Sequence, residues 1–220
     1  MRYILLFTLS IVLFSSCLSG SNSCIGLSGR STADGDGSRS AAGADDRLTV
    51  KEMLSAGPSA TVPTSEEKKL YDLVIAYRKQ KGLPSIPWSK SLSFVARIHV
   101  RDLAFHDWKE PCNAHSWSSD GPWTGGCYTP DHKAAKVMWD KPRELTLYKG
   151  SGYEIARGAW YAKGYLGAAD SLEGWKSSPG HHAVIINDGV WKKTEWKAIG
   201  TGIYRNFACI WFGTEEDPEQ

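Results

Sequence analysis

The chain predicts an α+β domain built on an antiparallel sheet, and three observations carry that prediction. Apolar residues recur at helical spacing early on: Leu70, Leu73, Val74 and Tyr77 fall at i, i+3, i+4 and i+7, and Leu92, Val95, Ala96, His99 and Leu103 form a second stripe. Alternation comes last, where Ala198 to Tyr204 and Phe207 to Phe212 are joined at Arg205-Asn206 and read as a hairpin. Connections are short and no internal repeat is evident. With 220 residues, 41% of them hydrophobic, there is room for one domain with a real core and some tail. The formal net charge of +2, with basic residues scattered among acids, argues against a nucleic-acid partner.

The elements follow in order. Met1-Arg2 and the apolar run over residues 3–14 read as a signal peptide, too short to span a membrane comfortably. Leu13-Phe14-Ser15-Ser16-Cys17 resembles a bacterial lipobox, so residues 1–17 are expected to be a signal ending at a lipidated Cys17, which would tie the protein to a membrane. An ordinary signal peptide cut between Ser16 and Ser23 is the alternative. Either way the chain is exported, as a membrane-anchored lipoprotein or a secreted protein, and disulfides become possible. Residues 18–63 are expected to be a disordered tether, because residues up to about Asp46 are Ser, Gly, Ala and Asp with scarcely a large apolar side chain. Leu48, Val50 and Met53 leave room for one short helix before the domain begins.

Thr64 and Glu67 have capping-box spacing, and Ser89 can cap the second helix. Residues 107–130 carry Trp108, Trp117 and Trp123 and no sustained period, which predicts an ordered loop. Cys112 and Cys127 bracket much of it and are the favoured disulfide. Cys209, inside the apolar alternation, is expected to be a buried free thiol. A short helix near His132 to Trp139, ended by Lys141-Pro142, and an extended run from Glu144 to Ala156 follow. Ala168, Leu172 and Trp175 mark a helix stopped by Pro179-Gly180, with Val184 to Ile186 continuing as a strand. The acidic tail, residues 214–220, is expected to be solvated.

The stretch over Trp175, Ser178, Pro179, Gly180, His181 and Asn187 resembles the W-x-x-S-P-G-H-R-A-N-I-L-N signature of the bacterial branch of the CAP superfamily, which includes cysteine-rich secretory proteins, antigen 5 and plant pathogenesis-related 1 proteins. His182 and Val184 depart from it. Further similarity lies in the G-L-P-x-I-P-W link ending at Trp88, in His115-Ser116 as an H-S motif, and in residues 198–203 as an I-G-V-G strand. The resemblance covers about residues 65–213 and implies a three-layer α-β-α sandwich with a small antiparallel sheet as the CAP (SCP-like) domain, residues 64–213.

It also implies a groove of two histidines and one or two glutamates that holds a divalent metal, zinc above all, in many members. His115 and His181 match the histidine positions and are the expected metal ligands. Glu154 is the nearest counterpart of the glutamate, although a one-residue slip would put Tyr153 there instead. Glu173 is a weaker second acid, and Ser116 beside His115 invites a nucleophile reading that no hydrolase signature supports. His99 and His106, seven apart on the second helix, read as structural, and His182 as pointing away from His181. If the groove exists, His115 and His181 must come close enough to share one ion or a bridging water.

The resemblance selects no ligand: metal, lipid or sterol and protein partners all occur across the family. The first reading is therefore a binding or interaction module for a small-molecule, lipid or glycan ligand, and more readily a binder than an enzyme. A metal-dependent hydrolase of cell-wall or extracellular polymers is the alternative. A glycan-binding module led by Trp108, Trp117 and Trp123 is a further one.

Overall fold

The computed structural model describes residues 48–60, 62–160 and 164–219. The signal sequence, Cys17, Cys24 and the tether up to residue 47 lie outside the described residues. No helix among the described residues is long and apolar enough to cross a membrane.

Helices α1 (Val50–Ala56), α2 (Ser65–Gln80), α3 (Lys90–Phe105), α4 (Lys136–Trp139) and α5 (Lys141–Leu145) precede strand β1 (Gly152–Gly158). Helices α6 (Ala168–Lys176) and α7 (Pro179–Ile185) then lead to β2 (Ala198–Tyr204) and β3 (Phe207–Gly213). The sheet is antiparallel in the order β1-β3-β2, so β1 is a free edge.

Strict side-chain alternation makes the layers. On β3, Phe207, Cys209 and Trp211 enter one core with α3, the disulfide loop and Met138 of α4, while Ala208, Ile210 and Phe212 enter a second core with α2, α6 and α7. This is the three-layer α-β-α sandwich. Gly200 and Gly202 let α3 lie directly on β2: a Cβ at either would sit within 2.1 and 2.5 Å of α3 backbone.

The expected helix starts are present. Thr64 and Glu67 cap α2 reciprocally, and the Ser89 hydroxyl accepts from Leu92 N–H at the start of α3. The hairpin β2-β3 turns at Arg205-Asn206, with Arg205 in left-handed conformation at φ 51°.

Several expectations are corrected. Val184 to Ile186 is not a strand: Ser178 and Pro179 open a helix, α7, with proline in the first turn where its fixed φ helps and its missing N–H costs nothing. A short apolar run does not by itself distinguish the two states. For the same reason Lys141-Pro142 begins α5 rather than merely ending α4, and Glu144 and Leu145, expected at the start of the extended run, are helical. The short helix expected over Leu48, Val50 and Met53 is α1, where Thr49 and Glu52 form a capping box and Met53 is buried against α3, so this part of residues 18–63 is not a disordered tether. The acidic tail is not fully solvated. Asp217 is buried and accepts from the hydroxyl of Ser89 at 2.6 Å and from the N–H and hydroxyl of Ser91 at 2.9 and 2.7 Å. A carboxylate there complements the positive end of the α3 dipole.

The loop after α3 is pinned at both ends. Cys112 and Cys127 are bonded, Trp117 and Gly126 exchange two backbone hydrogen bonds, and Tyr128 N–H donates to the Ser116 hydroxyl at 2.9 Å. His106, the C-cap of α3, meets Asp120 Oδ2 at 2.8 Å through Nε2 and Asp102 Oδ1 at 3.0 Å through Nδ1. Burial lowers its pKa, but the hydrogen bonds and charges of Asp120 and Asp102 outweigh it and raise the value above the ordinary 6.5. A raised folded-state value means that the latch contributes fully below about pH 6.5 and is lost as pH rises through the folded pKa. Asp120 is largely exposed, so the gain is at most about 1 kcal/mol. Proton NMR should give His106 a midpoint above 6.5, and Asp120→Asn should lower it. A midpoint at or below 6.5 would contradict the latch.

Candidate functional site

The pinned loop delivers His115 to one face of the sheet, and α7 delivers His181 from the layer on the other. The two meet around the free edge of β1, in a groove of about 480 Å³ lined by both rings together with Glu154, Tyr153 and Tyr128. His181 feels the charges of both His115 and Glu154. The residues thus come from opposite layers and still share one cleft, because among the described residues no strand pairs with the outer side of β1.

The alternation of β1 resolves the register. Glu154 lies opposite Trp211 and points into the α3 core, whereas Tyr153 lies opposite Phe212 and turns to the other face. Glu154 is buried and accepts two ring N–H groups: His99 Nδ1 at 2.5 Å on Oε1 and His115 Nδ1 at 2.7 Å on Oε2. Burial alone would raise its pKa, but the His99 charge and the bonds from both rings bring it down to about 2.

His99 is buried, as expected, yet it belongs to the site. Its Nε2 meets the Ser116 carbonyl at 3.1 Å, so both nitrogens face acceptors and both carry protons. Burial disfavours that imidazolium, while Glu154 favours it strongly enough to raise the pKa above 6.5. Trp117 stacks flat on the ring at 4.2 Å, an arrangement that also stabilises a cation.

The chain His99-Glu154-His115 fixes a tautomer. Because His115 donates its Nδ1–H to the carboxylate, neutral His115 carries its lone pair on Nε2, which among the described residues has no hydrogen-bond partner. Neither ring nitrogen of His181 has one either. Burial, and next the neighbouring His115, lower the His181 pKa below 6.5 and hold it neutral.

Two imidazoles in one groove are donor types that suit a divalent ion, and Glu154 is the carboxylate that orients His115. Each Glu154 oxygen already accepts one ring N–H. Among the described residues, the set of three or more donors within 4.8 Å of one another is His99, Glu154 and Cys209, not the groove trio. That set is fully buried, and burial together with Glu154 pushes the Cys209 thiol well above its ordinary pKa, which leaves it a protonated core thiol rather than a ligand.

Other expected site residues fall outside the groove. Ser116 is buried and its hydroxyl is taken by Tyr128 N–H, and His115 bonds Glu154 instead of Ser116, so the pair has no nucleophile geometry. Glu173 is exposed on α6 and bonds Lys176 at 2.7 Å. His182 turns away from His181, its Nε2 meeting the Tyr77 hydroxyl at 2.8 Å. The loop tryptophans form no exposed platform: Trp117 is fully buried, and Trp108 and Trp123 pack half-buried on the α3 core.

Sequence reasoning missed His132, Tyr128, Trp139 and Trp191, all lining the groove. His132, in left-handed conformation at φ 58°, pairs its Nδ1 with the Tyr128 hydroxyl at 2.9 Å, and the Tyr128 ring meets His115 edge-on at 5.1 Å.

Fold and site together define a sandwich domain with a two-histidine, carboxylate-braced groove at a sheet edge. The cysteine-rich secretory protein family model, CAP, matches residues 71–205, more than half of the chain, and the protein belongs to this family. No curated protein matches the chain. Among solved structures it is similar to an outer surface protein from Borrelia burgdorferi (17% identity, 70% of this chain and 97% of that one, TM-score 0.47). It is also similar to an extracellular SCP-domain protein from Bacillus anthracis (19%, 76% and 44%, TM-score 0.44). A third is a cysteine-rich secretory protein from Staphylococcus aureus (16%, 68% and 38%, TM-score 0.42). The chain thus spans less than half the length of the latter two.

Proposed function

We propose that this chain is an exported, lipid-anchored CAP-domain binding module whose groove holds a divalent ion, zinc by preference, between His115 and His181, and beside it a small ligand. The observation that carries the reading is the braced tautomer. Glu154 accepts a hydrogen bond from His115 Nδ1–H and leaves the Nε2 lone pair available in the groove that His181 also lines. An ion there would supply an electrophilic contact for an oxygen of the ligand. The chain's own contribution is to hold the two imidazoles in place.

A hydrolase of extracellular polymers would need a carboxylate free to act as base. Glu154 accepts from two rings and lies well below the usual carboxylate range, which favours binding over catalysis. Calorimetric titration of the purified protein with zinc at pH 7 is expected to give one saturable site. Absence of any heat or displacement signal would remove the ion from the reading.

Export and anchoring are proposed from the sequence. Mass spectrometry of the native protein is expected to find a diacyl or triacyl group on Cys17 and no residue before it. An unmodified mature N-terminus at Ser21 would remove the anchor.

A further inference from the structure

One wall of the groove is made of aromatic rings that the metal reading does not use. Trp139 at the end of α4, Tyr153 on β1 and Trp191 before β2 all line it. Their rings run in sequence, Trp139 tilted 57° to Tyr153 at 6.1 Å and Tyr153 edge-on at 75° to Trp191 at 5.2 Å, so they form a faceted wall rather than a flat one. Buried Trp196 braces the row, 5.5 Å from Tyr153, 5.3 Å from Trp191 and 5.3 Å from core Phe212. The aromatic wall is therefore held in place from the core outward, and a ligand would meet it with little ordering left to do. Trp139 is 38% exposed and Val190, which also lines the groove, 89%, an apolar surface that a monomeric domain gains nothing by leaving in water.

The groove is also nearly without charge. Its lining includes no Lys, Arg or Asp, and the one carboxylate, Glu154, is neutralised by His99 behind it. The remaining polar groups are chiefly the imidazoles of His115, His181 and His132 and the Tyr128 hydroxyl. Such a lining fits an uncharged ligand that has flat apolar faces and a rim of hydroxyl groups. Its side chains offer a charged ligand no compensating partner on desolvation. A pyranose ring has that shape: its C–H face lies on an aromatic ring while its equatorial hydroxyls bond imidazole and phenol groups. An acyl chain would use the wall but leave the polar groups unpaired.

We propose that this groove binds a pyranose oligosaccharide, with sugar rings packed along the wall of Trp139, Tyr153 and Trp191 and hydroxyls directed to the Tyr128 and His132 side chains, which the ion does not use. The inference rests on the groove reading above and names the ligand class for the same site. It places the sugar platform on tryptophans of α4 and the turn before β2, not on the disulfide loop.

The test titrates the purified protein with the β-1,4-linked tetramer of N-acetylglucosamine, following tryptophan fluorescence, with zinc present and again with a chelator. Saturable quenching is expected. Trp139→Leu and Trp191→Ala should each weaken it by about five- to ten-fold. Trp139→Leu keeps apolar bulk at a partly exposed position, so folding is preserved, and zinc calorimetry on the same variant should be unchanged. If wild type binds zinc but shows no saturable response to the tetramer, the sugar proposal is overturned while the ion reading stands. Tetramer binding without zinc binding would uphold the sugar proposal and remove the ion from the groove. Saturable uptake of a fatty acid that Trp139→Leu leaves intact would also overturn the proposal, assigning the wall to an acyl chain.

Discussion

Replacing Glu154 with alanine is expected to destabilise the domain by about 3–5 kcal/mol, the cost of leaving one member of a buried charge pair without its partner. The carboxylate is buried and is the acceptor for His99 and His115 at 2.5 and 2.7 Å. Without it the His99 imidazolium must lose a proton or stay uncompensated in the core beside Trp117 and Trp211. Urea denaturation followed by tryptophan fluorescence reads the change directly. Glu154→Gln keeps the volume and one acceptor oxygen but aims an amide N–H at one of the ring donors, so its cost should be smaller yet measurable. A loss under about 1 kcal/mol for the alanine variant would place the Glu154–His99 pair among ion pairs that contribute nothing measurable.

His115→Ala and His181→Ala are each expected to abolish zinc binding in calorimetry while far-UV circular dichroism stays native. The His115 side chain is 18% exposed and His181 is half-buried, and neither belongs to a core cluster. One imidazole alone leaves too few protein donors for a lasting site. Glu154→Gln should weaken zinc by about ten- to hundred-fold, because it loosens the orientation of His115 without removing a ligand. Competition from protons at His181 sets in only below the ordinary imidazole range, since burial and His115 hold its pKa beneath 6.5. Zinc affinity unchanged in either alanine variant would show that the ion, if bound, sits elsewhere.

Much of the frame was legible because it is written locally. Thr64 with Glu67 and Ser89 with Leu92 are caps three residues apart, and the alternation of Phe207 to Phe212 assigns each side chain to a core. The disulfide loop was legible as a loop for want of any period. What failed is what local pattern leaves ambiguous. Val184-Ile185-Ile186 suits a strand or a buried helix, and the tertiary setting of α7 between α6 and the turn before β2 decides for helix. Asp217 reads as one acid in a solvated tail until α3 offers it two serines from 126 residues or more away.

The site shows the same division. His115 and His181 carried motif signals. His99 falls within the second-helix stretch A-x-x-H-V-R-D-L, yet a histidine on the apolar stripe of a helix looks like core, and its partner Glu154 is 55 residues distant. Trp139, Tyr153 and Trp191 come from a helix end, an edge strand and a short turn, and only the folded sheet edge brings their rings into one row. The loop tryptophans pack inward for the converse reason: Trp117 is needed as the flat partner of buried His99.

The central claim is that His115 and His181, from opposite layers, act as one site across the edge of β1. Nitrogen-15 NMR of the histidine side chains tests it most directly. In the apo protein the account predicts His115 protonated on Nδ1 with a bare Nε2, a neutral His181, and His99 protonated on both nitrogens. On adding zinc, the His115 Nε2 and one His181 nitrogen should shift together at the same metal ratio, while His99, His106 and His182 keep their signals. Zinc-dependent shifts confined to one of the two, or appearing at different metal ratios, would contradict it.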